Sequence, residues 1–93
     1  MGWATVTRIP SLTVHRLTEA VTVMRLMETP AVEDWDEILE ALNREAFRCE
    51  LLVLRGPGWL GDSHARSMTK VAVQSMRIQG LEIATETGSP VTV

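Results

Sequence analysis

The stretch that decides the fold is residues 49–66, CELLVLRGPGWLGDSHAR. It opens with the apolar run 51–54, breaks at the glycine-rich turn 56–58, and restarts behind Asp62 with a helical pattern. A short apolar run bounded by turn residues is typical of a strand that is buried on both faces. A buried strand that enters a helix through such a turn predicts an open α/β sheet, with its binding site at this end of the strand.

Two β-rich segments and an amphipathic helix precede this stretch. Residues 12–17 (LTVHRL) and 21–27 (VTVMRLM) are separated by three residues, which predicts a hairpin. Residues 3–9 (WATVTRI) predict an extra edge strand that stops at Pro10. Residues 32–47 predict a helix, because acidic residues fill its first turns and apolar residues recur with helical spacing. The apolar stripe comprises Trp35, Ile38, Leu39, Leu42 and Ala46.

A second helix and a last strand follow the stretch. Either Asp62 or Ser63 can cap a helix over residues 63–79, and Gly80 ends it. Residues 81–86 alternate between apolar and polar, which predicts a half-exposed strand. The order β-β-α-β-α-β predicts the α/β class, with a small mixed sheet of about four to five strands and two amphipathic helices. If both helices lie on one face, the other face is open unless a partner covers it.

Length, charge and composition exclude several kinds of protein. The chain has 93 residues, which predicts a single domain over residues 1–93. A net charge of −3 argues against nucleic-acid binding, which needs a basic surface. The single cysteine excludes an internal disulfide and favours a reducing, cytoplasmic setting. No apolar run is long enough to insert into a membrane, and the N-terminus does not resemble a signal peptide.

The sequence Asp62-Ser63-His64 contains the residue types of a hydrolase but not their arrangement. Neighbours at a helix start cannot converge as nucleophile, base and orienting acid. His15 and His64 have no third ligand at metal-site spacing, so we predict neither a metal nor a cofactor. Residues 56–58 lack the Gly-Lys-Ser/Thr ending of a phosphate loop, and a tight turn is the default interpretation.

Ser63 has two interpretations. It can simply cap the helix, or it can be a phosphorylation site at the helix start. A phosphate there would meet free backbone N–H groups and the positive end of the helix dipole. Arg66, one turn further on, could pair with the phosphate, whereas Asp62 would repel it. Opposing contributions of this kind suit a switch.

Trp59 and the basic residues of the second helix also have two interpretations each. Trp59 is either a lid over the core or an anchor for a partner. Arg66, Lys70 and Arg77 lie on the polar face of the helix, which can be merely solvated. Alternatively, this face docks an acidic partner or the phosphates of an acyl-CoA.

The order of elements and several motifs are similar to those of the STAS domain, the fold of anti-sigma-factor antagonists and sulphate-transporter tails. The resemblance extends from residue 12 to residue 93. It is carried by LTVHRLTEAVTVMRL (12–26), DEILEALNREA (36–46), CELLVLRG (49–56), the loop at 60–63, and GLEIATETGSPV (80–91).

The STAS resemblance implies a non-enzymatic regulatory or adaptor domain. In that family, the loop at the helix start carries the regulatory phosphoserine and forms the partner-binding edge, which here corresponds to Asp62 and Ser63. His64 and Ala65 stand where the family has a hydroxyl residue and glycine, and Arg55 replaces an acid. The expected partner is a regulatory kinase, an anti-sigma-like protein or a transporter component. The residues expected to contact it are Trp59, Asp62, His64, Arg66 and Lys70.

Two alternatives remain open. VTVMRL (21–26), LLVLRGPG (51–58) and GSPVTV (88–93) resemble the first β-α-β unit of crotonase enzymes. That resemblance implies an acyl-CoA-binding fragment, in which backbone N–H groups near Gly58 would hold a thioester oxygen. The other alternative is a structural homo-oligomer, indicated by the strand-rich N-terminus and by the sheet face that stays uncovered if both helices lie on the other one.

Overall fold

A computed structural model of the chain describes residues 11–86. The predicted order β-β-α-β-α-β is confirmed, and so is the α/β class with a mixed sheet and two helices. The elements are β1 (Leu12–Arg16), β2 (Val21–Leu26), α1 (Trp35–Ala46), β3 (Leu51–Arg55), α2 (Ser63–Ile78) and β4 (Glu82–Glu86). The extra edge strand expected at residues 3–9 lies outside the described residues.

The four described strands form one sheet in the order β1-β2-β3-β4. β1 and β2 are antiparallel, whereas β2, β3 and β4 run parallel to one another. The apolar strands β2 and β3 occupy the centre of the sheet, where both faces of a strand are covered. The two parallel connections contain α1 and α2, as parallel strands require a long crossover.

Both α-helices pack on the same face of the sheet. That face carries Met24 on β2 and Leu54 on β3, which are register partners and fully buried. The helices contribute Trp35, Ile38, Leu42, Ala65, Val73 and Met76 to the same core cluster. Burial of each large apolar side chain stabilises the fold by about 1.5–3 kcal/mol. The apolar stripe predicted for the first helix therefore faces the core, whereas α2 also buries Thr69 and Val73 and leaves Val71 and Ile78 exposed.

The opposite face of the sheet has a buried centre and a charged end. Val23 and Val53 are register partners on this face and are only 4% and 8% exposed. Towards the end of the strands, Arg55 donates to Glu86 Oε1 from Nε at 3.0 Å and from Nη2 at 2.8 Å. These two valines are therefore buried although both helices pack on the opposite face of the sheet.

The ends of the helices differ slightly from their predicted positions. Residues 32–34, predicted as the first turn of a long helix, form a separate 3₁₀ turn, Val32–Asp34, before α1. α2 ends at Ile78, and Gly80 follows it with a φ of 90°. Leu81 N–H then donates to Met76 C=O at 3.0 Å, which satisfies one of the last carbonyls of α2. The predicted role of Gly80 in ending the helix is confirmed.

Candidate functional site

The start of α2 is capped by Asp62 and not by Ser63. Asp62 lies just before the helix, and its Oδ1 accepts a hydrogen bond from the backbone N–H of Ala65 at 2.8 Å. Such a bond satisfies one of the free N–H groups in the first turn. Ser63 is the first residue of α2 and is exposed to solvent. The choice that the sequence left open is thus resolved in favour of Asp62.

Replacing Asp62 with alanine should lower the free energy of unfolding by about 1 kcal/mol, because the N–H of Ala65 loses its protein acceptor. Chemical denaturation followed by circular dichroism measures the change. Ser63→Ala is the matched control and should stay within about 0.5 kcal/mol of the wild type. An equal loss in both variants would mean that Ser63 shares the capping role.

Trp59 lies in the core, which corrects its expected role as a partner contact. Its side chain is 0% exposed. The indole Nε1 lies 3.2 Å from Met24 O and 3.1 Å from Arg55 O, so its N–H is shared between two carbonyls. The hydroxyl of Thr69 donates to Trp59 O at 2.8 Å, which ties the turn to α2. A buried ring with satisfied polar atoms has no surface to offer a partner, so the lid alternative describes Trp59.

His64 packs against a small aromatic cluster. Its ring lies edge-on to Trp35, with centroids 6.4 Å apart and an interplanar angle of 73°. Trp35 in turn contacts Trp59 at 6.2 Å and 58°. Edge-on and tilted arrangements of this kind are favourable for aromatic pairs. His64 is half-buried, so one part of its ring is held by Trp35 while the rest stays accessible.

The glycine-rich turn is packed tightly against the segment that follows β2. A Cβ atom on Gly56 would collide with Leu26 O, and one on Gly58 would collide with Glu28 O. A Cβ atom on Gly61 would overlap the hydroxyl of Thr29. Gly56 and Gly58 therefore allow close backbone packing, and the side of Gly58 that faces Glu28 has no room for a ligand.

Arg66, Lys70 and Arg77 line one groove beside α2. The groove has a volume of about 410 Å³ and is bounded on its other side by Leu60 and Thr85. Arg77 Nη2 donates to Ile83 O at 2.8 Å, which anchors this side chain over β4. Within residues 11–86, no acidic side chain forms a salt bridge with any of the three cations. The groove is therefore a concentrated patch of positive charge on a chain whose net charge is −3.

The predicted site residues fall into three groups. Asp62, Ser63 and His64 are adjacent at the start of α2, and Arg66 and Lys70 continue along the helix into the groove. Trp59 alone is the third group, because it is buried in the core. Thr85 was not singled out from the sequence, because only the packing of α2 against β4 brings it to the groove.

Neither a metal site nor a membrane span is found in the described part of the chain. Across residues 11–86, no three His, Cys, Asp or Glu side chains are grouped so that they could hold a metal ion. No helix within the same residues has the length and apolar character needed to cross a bilayer. Comparison with protein-family models, curated proteins and solved structures found no match to this chain.

Proposed function

We propose that the chain is a non-enzymatic regulatory or adaptor domain that binds a protein partner through the start of α2. The proposed contact surface, termed the α2 surface, consists of Asp62, Ser63, His64, Arg66 and Lys70. We further propose that phosphorylation of Ser63 switches this contact. The observation that carries the proposal is that Ser63 is exposed at the helix start while Asp62 makes the cap.

The position of Ser63 supports the switch because Asp62, and not the Ser63 hydroxyl, caps the helix. Asp62 already satisfies the Ala65 N–H, so adding a group to the Ser63 oxygen breaks no capping bond. A hydroxyl that is exposed and makes no capping bond can be presented to a kinase without unfolding the helix. The same position places a phosphate at the positive end of a 16-residue helix.

Charge around Ser63 supplies the two opposing contributions that a switch requires. Arg66 lies one helical turn away, on the neighbouring part of the exposed surface, and attracts a phosphate. Asp62 carries a carboxylate next to Ser63 and repels it. A phosphate would therefore compete with an acidic partner for Arg66 while adding negative charge beside it. We expect phosphorylation to weaken the contact with such a partner.

The Ser63→Asp variant tests this proposal. Wild-type protein immobilised through its N-terminus should capture a partner from lysate of the source cells, and mass spectrometry identifies the partner. The purified partner should then bind Ser63→Asp about tenfold more weakly than the wild type, because negative charge is added beside Arg66. Calorimetric titration measures the dissociation constants.

The control is Ser75→Asp, which adds the same charge at an exposed position near the other end of α2. We expect its affinity to stay within about twofold of the wild type, since like charges act mainly over short screened distances. Equal affinities for wild type, Ser63→Asp and Ser75→Asp would exclude a switch at Ser63. A partner that crosslinks only to residues remote from α2 would exclude the α2 surface itself.

A further inference from the structure

The β4 strand presents a sheet edge beside the basic groove. In the part of the chain that the structure describes, β4 lies at the end of the sheet order and pairs with β3. The outer side of such a strand carries backbone N–H and C=O groups that can pair with another extended chain. On β4 these groups belong to Ile83 and Thr85, because Glu86 O accepts from Gly56 N–H on the β3 side. The Ile83 carbonyl already accepts from Arg77 Nη2, so an added strand has to replace Arg77 there. Thr85, a residue of β4, also lines the groove. The groove therefore reaches the helix-covered face of β4, next to the edge at which an added strand would pair.

The two faces of β4 differ in charge. Thr85 shares the helix-covered face with Leu54, its register partner, whereas Glu82 and Glu86 lie on the opposite face with Leu51 and Arg55. An added strand would follow the same alternation, because successive side chains point to opposite faces. Side chains on one face of that strand would lie next to the groove cations, and those on the other would lie near Glu82 and Glu86.

The cations of α2 are spread over about the length of β4. Arg66 and Arg77 are 11 residues apart in α2, which corresponds to about 16 Å along the helix axis. The five residues of β4 span about 16 Å as an extended chain. Three cations distributed along this length can face alternate side chains of one strand. A short extended segment therefore fits the groove better than a single small anion, which would use only one end of it.

We propose that an extended segment of the partner protein pairs with the outer edge of β4, replaces the Arg77 guanidinium at the Ile83 carbonyl, and directs alternate acidic side chains towards Arg66, Lys70 and the released Arg77. The inference rests on the proposed function, because Arg66 and Lys70 belong to the α2 surface. It specifies the chemistry of the partner: acidic residues at every second position, with no acidic residue between them. Backbone pairing supplies affinity, and the groove cations supply the preference for acidic side chains.

Two peptides of equal charge test whether acidic residues must stand at every second position. The first is a fluorescein-labelled heptapeptide, Thr-Glu-Thr-Glu-Thr-Glu-Thr, and the second is its isomer Thr-Thr-Glu-Glu-Glu-Thr-Thr. Fluorescence anisotropy with the full chain should give about tenfold tighter binding of the alternating peptide, because only that peptide directs every glutamate to the groove. Equal affinity for the two isomers, or no binding up to about 1 mM, would overturn the proposal.

Two N-methylated forms of the alternating peptide test the backbone pairing. In an extended strand, the N–H groups of the glutamates point to one edge and those of the threonines to the other. Methylation of one set should therefore abolish binding, while methylation of the other set should leave it nearly unchanged. If neither form differs from the parent peptide, the strand is not pairing with β4.

The double variant Arg66→Glu, Lys70→Glu tests the groove. It should bind the alternating peptide at least about tenfold more weakly than the wild type, since like charges would then face each other. Arg48→Glu, at an exposed position beyond α1, is the control and should bind like the wild type. Retained circular dichroism and thermal unfolding establish that the double variant is folded. Unchanged peptide binding by a folded double variant would overturn the assignment of the groove.

The outcomes separate this inference from the proposed function. The peptide titrations require no physiological partner and no phosphate, so their failure leaves the test of Ser63 intact. Conversely, if Ser63→Asp does not change partner binding, the preference between the two peptides can still be measured with the purified chain. Coenzyme A serves as a further probe of the same groove. Saturable binding of coenzyme A, with no preference between the peptide isomers, would replace the strand site with a small-anion site.

Discussion

Replacing Trp59 with alanine should lower the free energy of unfolding by about 3–5 kcal/mol, the range for truncating a buried aromatic residue. The side chain is 0% exposed and contacts Trp35 with ring centroids 6.2 Å apart. Truncation also removes the N–H that lies within hydrogen-bonding distance of Met24 O and Arg55 O. A small domain has a stability of about 5–15 kcal/mol, so this loss is a large fraction of the total. Urea denaturation at constant temperature measures it.

Phe47→Ala is the matched control for Trp59→Ala. Phe47 is also aromatic, but it is 63% exposed, so its truncation should cost no more than about 0.5 kcal/mol. The comparison separates the removal of an aromatic ring from the removal of buried contacts. A Trp59→Ala protein as stable as the wild type, yet unable to capture the partner, would contradict the buried position. Trp59 would then be the partner anchor that the sequence left open.

Gly56→Ala should destabilise the protein by about 2–4 kcal/mol, because two effects act at this position. Gly56 has a φ of 106°, a conformation that residues with a side chain rarely adopt. A Cβ atom would also collide with the backbone carbonyl of Leu26, at the end of a central strand. Neither backbone can move without disturbing the parallel pairing of β2 and β3. The midpoint of urea denaturation measures the effect.

Gly80→Ala is a control in which only the unfavourable backbone conformation applies. Gly80 has a similar φ of 90°, but a Cβ atom there would meet nothing within 4 Å. Its replacement should cost about 1 kcal/mol, the unfavourable backbone conformation alone. The difference between the two variants then measures the close approach of the turn to β2. Equal losses would indicate that the turn can shift away from Leu26 and is not clamped.

Gly56 and Trp59 explain why the turn after β3 leaves no space for a ligand within itself. The inner side of the turn is occupied by backbone atoms of Leu26 and Glu28, and its tryptophan fills the core. The accessible groups lie beyond it, at Ser63 and along α2. The turn is tied to the core directly before α2, and the proposed α2 surface begins just beyond it.

Much of the site could be predicted from the sequence because it depends on local rules. Asp62 before a helical pattern is an N-cap signal, and helical spacing places Arg66, Lys70 and Arg77 on a polar face. Which of Asp62 and Ser63 caps the helix could not be predicted, since both side chains can accept the bond. The hydrogen bond from Ala65 decides it, and that choice leaves the Ser63 hydroxyl free of a capping role.

The burial of Trp59 illustrates the opposite case. A tryptophan in a turn is compatible with a lid and with an anchor, because composition does not report which way a ring points. Its position depends on the parallel pairing of β2 and β3. The indole N–H donates to the carbonyls of Met24 on β2 and Arg55 on β3. These carbonyls belong to strands separated by α1 in the chain. No local pattern encodes a contact of that kind.

The sequence by itself determined the order of the elements, the apolar face of α1 and the end of α2 at Gly80, because periodicity and glycine chemistry act over a few residues. The tertiary structure decided which strands are neighbours, where Trp59 lies and what the cations of α2 face. These outcomes depend on long-range packing, in which a helix meets a strand that is distant in the chain. The groove between α2 and Thr85 exists only because both elements pack onto one sheet.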